Sequence, residues 1–428
     1  MNGQPNPASD LNTPSQFIER GAGGEVKNAS RSWVWVGLAT ASVALVTAVL
    51  ALLFLTSGGP DVDPPYEPAW KFPARTDPVV VALPTVHPTG RPDEPEKLDE
   101  QIARLGDIGG KVVLPEQLPE GQRQRLITVL DQLFGTPAAP EIVDLDAGAG
   151  QAFLLTGSDL LAGAKQYKVA CANCHGMTGD GRGAAGVWTY PHPRDFRSGK
   201  FKLATGAGAN TGRPRFTDVK QVILKGVPGT TMQGTTRPDR QVAQLAAYTI
   251  FLSVRGEVES EVLKALADPD EGVTDIEAEA KKRLTAVLKK WTAADEEMPL
   301  SHAVQPRPDE VTADYAESVR RGQKLFVSQQ AGCASCHTDY GRTPTYRYDV
   351  WGVPNRVRNL TEKERLWARE PADFARQLRN GLHAAGMPAA PVELTDQDIA
   401  DLVHFVRELP FPQRLPDDVR RQVEPVMK

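Results

Sequence analysis

The chain has 428 residues, 40% hydrophobic and 24% charged, with a net charge of −5 at pH 7. At roughly 100–200 residues per domain this length predicts about two to four domains. The composition excludes a collagen-like or wholly disordered chain, and the charge gives no basis for nucleic-acid binding.

Residues 1–31 are polar and rich in Asn, Gly and Ser, and are expected to be a disordered, cytoplasmic N-terminus. Trp33 to Leu55 is a run of 23 residues without a charge. As a helix it would be about 34 Å long, enough for a ~30 Å hydrocarbon core. Trp33 and Trp35 stand at one end, where interfacial indoles belong. A cleaved signal peptide is the rival reading, but 32 residues precede this run, which exceeds the usual ~7–15 residues of such a segment. Residues 32–57 are therefore expected to be a single transmembrane anchor. The prolines that follow (Pro60, Pro64, Pro65, Pro68, Pro73, Pro78) predict a semi-stiff stalk. It leads into a small acidic, partly helical segment, the whole spanning 58–150. Its better helix is Pro119 to Phe134, with Leu126, Val129, Leu130 and Leu133 on one face.

Two segments then repeat one another. Each begins with a helix carrying Gly-x-x-x-aromatic, Gly163/Tyr167 and Gly322/Phe326. Each continues into C-x-x-C-H: Cys171-Ala-Asn-Cys174-His175 and Cys333-Ala-Ser-Cys336-His337. A Trp follows (Trp188, Trp351), then an Arg 19 or 21 residues after the His (Arg194, Arg358). A short amphipathic helix ends at Gly226 or Gly381, and a Met stands six positions later, Met232 or Met387. Each repeat closes on an apolar-faced helix preceded by Thr-x-x-Asp, Thr236/Asp239 and Thr395/Asp398, a capping-type start. Between the repeats, 256–311 has a helical pattern from Ile276 to Trp291 and then a proline-containing connector, and is expected to be an acidic helical linker. Residues 412–428 are left as a C-terminal tail.

The four cysteines are all used in the two C-x-x-C-H motifs, the attachment pattern of c-type haem. Two cysteines three positions apart can form thioethers with one edge of a porphyrin, while the adjacent His lies beneath the iron. The competing reading is a pair of zinc knuckles, which also begin with C-x-x-C. Each motif, however, sits in its own repeat behind its own helix, and zinc would need further ligands. Met232 and Met387 are candidates for the sixth ligand. His192 is the rival near Met232, and His383 the rival near Met387. Met177 is too close to His175 to reach round the porphyrin, Met298 falls in the linker, and His404 is expected to pack near Phe405. Arg194 and Arg358 are read either as partners of haem propionates or as surface arginines. Trp188 and Trp351 are read as haem-edge or core residues.

On these motifs each repeat, about 155–255 and 312–411, resembles a class I cytochrome c domain. The resemblance implies a mainly α protein: a membrane helix, a stalk and two tandem all-α domains. It implies two covalent haem c groups on Cys171, Cys174, Cys333 and Cys336. His175 with Met232 and His337 with Met387 would ligate the irons. With both axial positions filled, it implies an electron carrier rather than an enzyme. Such haems are attached outside the cytoplasm, so the haem domains are expected on the periplasmic side of the cell membrane. The whole is similar to membrane-anchored diheme cytochrome subunits of respiratory complexes. Expected partners are membrane-bound redox complexes, or another cytochrome or a copper protein. A terminal-oxidase subunit, a diheme peroxidase and a haem-based sensor are the alternatives.

Charge is unevenly spread. Residues 156–255 carry net +9, and the segments 1–155 and 256–315 each carry −8. Either the first haem domain offers Lys165, Lys168, Lys200, Lys202, Lys220 and Lys225 to an acidic partner, or the flanking acidic segments fold over it.

Overall fold

The computed structural model describes residues 71–82, 111–143, 145, 147–208, 211–227, 229–296, 304–351, 353–362 and 370–427. The expected N-terminus (1–31), the anchor (32–57), the proline-rich start of the stalk and Met298 lie outside the described residues. Among the described residues no helix is long and apolar enough to cross a membrane.

Pro68–Lys428 forms one compact unit, within which two hydrophobic cores are separate. The first is built around α6 (Asp239–Ala267), a helix about 44 Å long. Against it lie α3 (Gly157–Ala170), α5 (Phe216–Lys225), α7 (Ile276–Asp295) and α1 (Glu120–Phe134), with the short α2 (Ala147–Ala152) on α7. Strands β1 (Val79–Ala82) and β2 (Lys111–Val113) pair antiparallel and also touch α6. A two-residue hairpin, β3 (Gly135–Thr136) with β4 (Ala139–Pro140), follows α1. The second core holds α8 (Ala313–Val327), α10 (Pro371–Asn380), α11 (Asp396–Glu408) and α12 (Asp417–Met427). A small antiparallel pair, β5 (Tyr346–Tyr348) with β6 (Pro354–Arg356), projects from it. The protein is mainly helical, as the periodicity predicts.

The same helix crossing organises both cores. A side chain on Gly163 would meet the Gln244 carbonyl oxygen at 2.3 Å and Tyr248 Cβ at 2.9 Å. One on Gly322 would meet the Asp401 carbonyl oxygen at 1.9 Å and Phe405 Cβ at 2.8 Å. Glycine lets α3 touch α6, and α8 touch α11, backbone to backbone. Beside each crossing the paired aromatics meet edge to face: Tyr167 with Tyr248 at 5.3 Å, Phe326 with Phe405 at 5.6 Å between ring centres.

Three expectations from sequence change. The segment expected as a helical linker is helical over Ile276–Asp295 but packs on the first core instead of merely connecting the repeats. Val258, Val262 and Leu263 continue the buried face of α6 past the end of the repeat, and α7 buries Ile276, Ala280, Leu284, Leu288 and Trp291 against it. The expected tail forms α12, with Val419 and Val423 buried in the second core and Asp418 3.0 Å from Arg320. Thr236 does not cap α6; that helix starts at Asp239 behind Pro238. Arg237, preceding a proline, is held out of the helical region, so the helix begins after it. In the other repeat no proline intervenes, and Thr395 with Asp398 forms the full capping box.

The acidic segment before the repeats packs on the first core. Its α1 buries Leu126, Val129, Leu130, Leu133 and Phe134, the face the sequence shows, with Phe134 6.0 Å from Phe251. Phe72 lies against the same ring at 6.3 Å, and the Arg255 guanidinium lies over the Phe72 ring at 4.3 Å.

Candidate haem sites

Each C-x-x-C-H lies on one helical turn. Cys171 closes α3 and starts α4 (Ala172–His175), with the His175 amide donating to the Cys171 carbonyl at 2.8 Å. Cys333 opens α9 (Cys333–Cys336), with the His337 amide donating to the Cys333 carbonyl at 2.9 Å. None of the four cysteines is in a disulfide, and all are half-buried. Cys171 and Cys333 pack on their cores, and burial pushes each thiol up to about 11.

The two histidines occupy equivalent places, but only His337 has a hydrogen-bonding carbonyl beside Nδ1. His337 Nδ1 lies 3.2 Å from the Arg358 carbonyl oxygen. His175 Nδ1 is buried facing the Arg194 carbonyl, outside normal hydrogen-bond limits. Burial lowers both imidazole pKa values and so favours the neutral ring. A carbonyl can only accept, so a neutral ring facing one carries its proton on Nδ1 and leaves the Nε2 lone pair for a metal. The repeat equivalence of Arg194 and Arg358 is thus an equivalence of main-chain carbonyls.

The methionines sit in matching hairpins. Gly226 and Gly381 end α5 and α10 with φ of +69° and +73°, a region glycine enters freely. Beyond them the Val227 amide donates to the Met232 carbonyl and the Leu382 amide to the Met387 carbonyl, both at 2.9 Å. Asp295 at the end of α7 accepts from the Phe216 amide at 2.7 Å and so fixes the start of α5, the helix that leads to Met232.

The rival histidines differ in setting. His192 is exposed, its Nδ1 3.2 Å from the Gly186 carbonyl oxygen. His383 lies on the 3-10 turn within the Met387 hairpin. His404 is buried in α11; its Nδ1 meets Ser318 Oγ at 2.8 Å and its Nε2 accepts from the Gln305 amide at 3.2 Å. Both its ring nitrogens are engaged in packing the second core.

Two unpaired cysteines to form thioethers and a neutral imidazole to ligate iron, on one turn in both cores, fit haem c. Among the described residues no three His, Cys, Asp or Glu side chains converge as a zinc knuckle would require.

The tryptophans part company. Trp188 is 87% exposed, whereas Trp351 is half-buried and its indole donates to the Asp195 carbonyl of the first domain at 2.9 Å. The Arg194 side chain pairs with Asp349 at 2.8 Å and lies over the Trp351 ring at 5.4 Å. Lys202 donates to Asn355 Oδ1 at 2.9 Å, and Asn380 donates to the Thr205 and Gly206 carbonyls at 3.2 and 2.9 Å. These contacts join the two domains. Asp349 was not singled out from sequence. Its only local signal is a turn, in which Oδ1 accepts from the amides of Trp351 and Val353 at 3.1 and 3.0 Å.

The basic surplus of the first domain meets acids within the chain. Asp77 accepts both terminal nitrogens of Arg197 at 2.8–2.9 Å. Glu257 accepts both terminal nitrogens of Arg213 at 2.6–2.7 Å and the Trp291 indole at 2.7 Å. Lys220 pairs with Asp239, and Lys200 and Lys202 are half-buried with pKa values lowered by burial. Lys165 is exposed.

Residues 319–410 match the family model described as cytochrome c, and residues 158–248 the one described as cytochrome c oxidase, cbb3-type, subunit III. Among solved structures, a chain of the Kuenenia stuttgartiensis reducing HAO-like protein complex is similar at 23% identity and a TM-score of 0.40. The match covers 58% of this chain and 95% of that one. No curated protein matches the chain significantly. Cytochrome c domains imply haem c binding and haem-based electron transfer.

Proposed function

We propose that this chain is a membrane-anchored diheme cytochrome c that passes electrons between redox partners outside the cytoplasm. Cys171 and Cys174 tether one haem and His175 and Met232 ligate it; Cys333, Cys336, His337 and Met387 hold the other. The observation that carries the reading is the duplicated site: a C-x-x-C-H turn, a His facing a main-chain carbonyl, and a Met hairpin after a glycine-ended helix.

The haem supplies a one-electron ferric/ferrous couple, whose potential a thioether ligand raises. The protein's own residues do the rest. The Arg358 carbonyl, 3.2 Å from His337 Nδ1, favours a proton there and leaves Nε2 free, burial favours the neutral ring at both histidines, and the cysteines would tether the porphyrin. Met232 and Met387, each held in a hairpin by a backbone bond, would supply a thioether as the second protein ligand to each iron. The anchor rests on the charge-free run of 33–55, and the side of the membrane on where such haems are attached.

A second reading is a subunit of an oxidoreductase complex, favoured by the match of 158–248 to the cbb3-type oxidase subunit. Co-purification from membranes in mild detergent separates a complex subunit from a free carrier. The stoichiometry tests both readings at once. Replacing Cys171 and Cys174 together with Ala is expected to halve the covalent haem per chain, measured on denatured protein. An unchanged haem content contradicts the assignment.

A further inference from the structure

The ion pair between Arg194 and Asp349 joins two residues that each lie close to a different haem site. The main-chain carbonyl of Arg194 faces His175, while its guanidinium crosses to the second domain. There it meets Asp349, whose side chain is fully buried, with 16% of the Arg194 side chain exposed. The contact at 2.8 Å to Asp349 Oδ2 is an ion pair rather than an aligned hydrogen bond, while Oδ1 accepts from the Trp351 and Val353 amides of its own loop. That loop leads to the second site: the Val350 amide donates to the Ala384 carbonyl at 3.2 Å, within the turn between Leu382 and Met387. Trp351 reaches from the second domain to two adjacent residues of the first, under the Arg194 guanidinium and donating to the Asp195 carbonyl. Lys202 and Tyr190 are the other charged or titratable groups that act on this pair.

Resting on the two-haem reading above, we propose that Arg194 and Asp349 are positioning residues that dock the second haem domain beside the His175 ligand and set the charge there, so that the potential of the first haem depends on the second domain. The physical reason is burial. Two opposite charges out of water cancel at close range, and removing one leaves the other uncompensated in a weakly screened environment. Ferric haem carries one more positive charge than ferrous haem. A stranded Arg194 therefore favours reduction and a stranded Asp349 favours oxidation.

The test is a redox titration of the full chain carrying Asp349→Asn, Arg194→Gln, or both. The wave missing from the Cys171→Ala/Cys174→Ala variant identifies the first haem. Asp349→Asn is expected to raise the potential of that wave and Arg194→Gln to lower it, with the double variant back near the wild-type value. A purely structural role would loosen the junction in each variant and shift the wave in one common direction. Shifts of one sign, or none, overturn the proposal. If Arg194→Gln acquires no first haem, Asp349→Asn decides alone: an upward shift supports the proposal, and no shift or a downward one overturns it. Absence of haem from the first motif of the wild-type chain would instead refute the two-haem reading.

Discussion

Gly322 shows how much rests on a missing side chain. A methyl group there would lie 1.9 Å from the Asp401 carbonyl oxygen, which belongs to the backbone of α11 and cannot swing aside. Gly322→Ala must push α8 away from α11 and spoil the Phe326–Phe405 contact beside it. Overpacking of this kind costs about 1–3 kcal/mol. Thermal unfolding of the variant is expected to show that loss; an unchanged midpoint would mean that the two helices do not cross at this glycine. The Gly-aromatic pairs are legible in the sequence because they recur at one spacing in both repeats. Arg194 is legible only as a position. Its side-chain partner, Asp349, stands 155 residues away and belongs to the other repeat, so no local pattern connects them. Trp188 and Trp351 look equivalent in the repeat, yet one is exposed and the other forms the junction, because only Trp351 lies where its domain meets the other.

At the scale of elements, α7 is the clearest case of a helix whose existence the sequence shows and whose destination it hides. The apolar spacing from Ile276 to Trp291 predicts a helix with one buried face, and the structure has it. Nothing local says that this face covers α6, since the partner residues Val258, Val262 and Leu263 lie beyond the end of the repeat. Trp291 is fully buried, packs edge-on against Phe153 and Phe201, and donates to Glu257. Trp291→Ala is expected to destabilise the first core by about 3–5 kcal/mol, from the cavity and from the lost donor to a buried carboxylate. Denaturant unfolding measures this. A loss below about 1 kcal/mol would mean that α7 is an appendage. The Thr-x-x-Asp pattern shows the reverse error: a good local signal before α6 is overridden by Pro238, while the same signal before α11 operates.

For the whole molecule, the charge blocks of the sequence are resolved by folding. The positive surplus of 156–255 is met partly by Asp77 from one flank and Glu257 from the other, and Lys202 is turned into the domain junction. Sequence alone left open whether those acids faced the basic domain or an external partner, because pairing at such separations is a property of the fold. Two repeats, two C-x-x-C-H turns and two methionine hairpins were legible; the joining of the domains was not. The central claim is that each domain holds one haem between a histidine and a methionine, and redox titration of the full chain with Met232→His and Met387→His tests it most directly. A second imidazole stabilises ferric iron relative to a thioether, so each substitution is expected to lower one of two potentials and leave the other near its wild-type value. Two unmoved potentials would contradict the account.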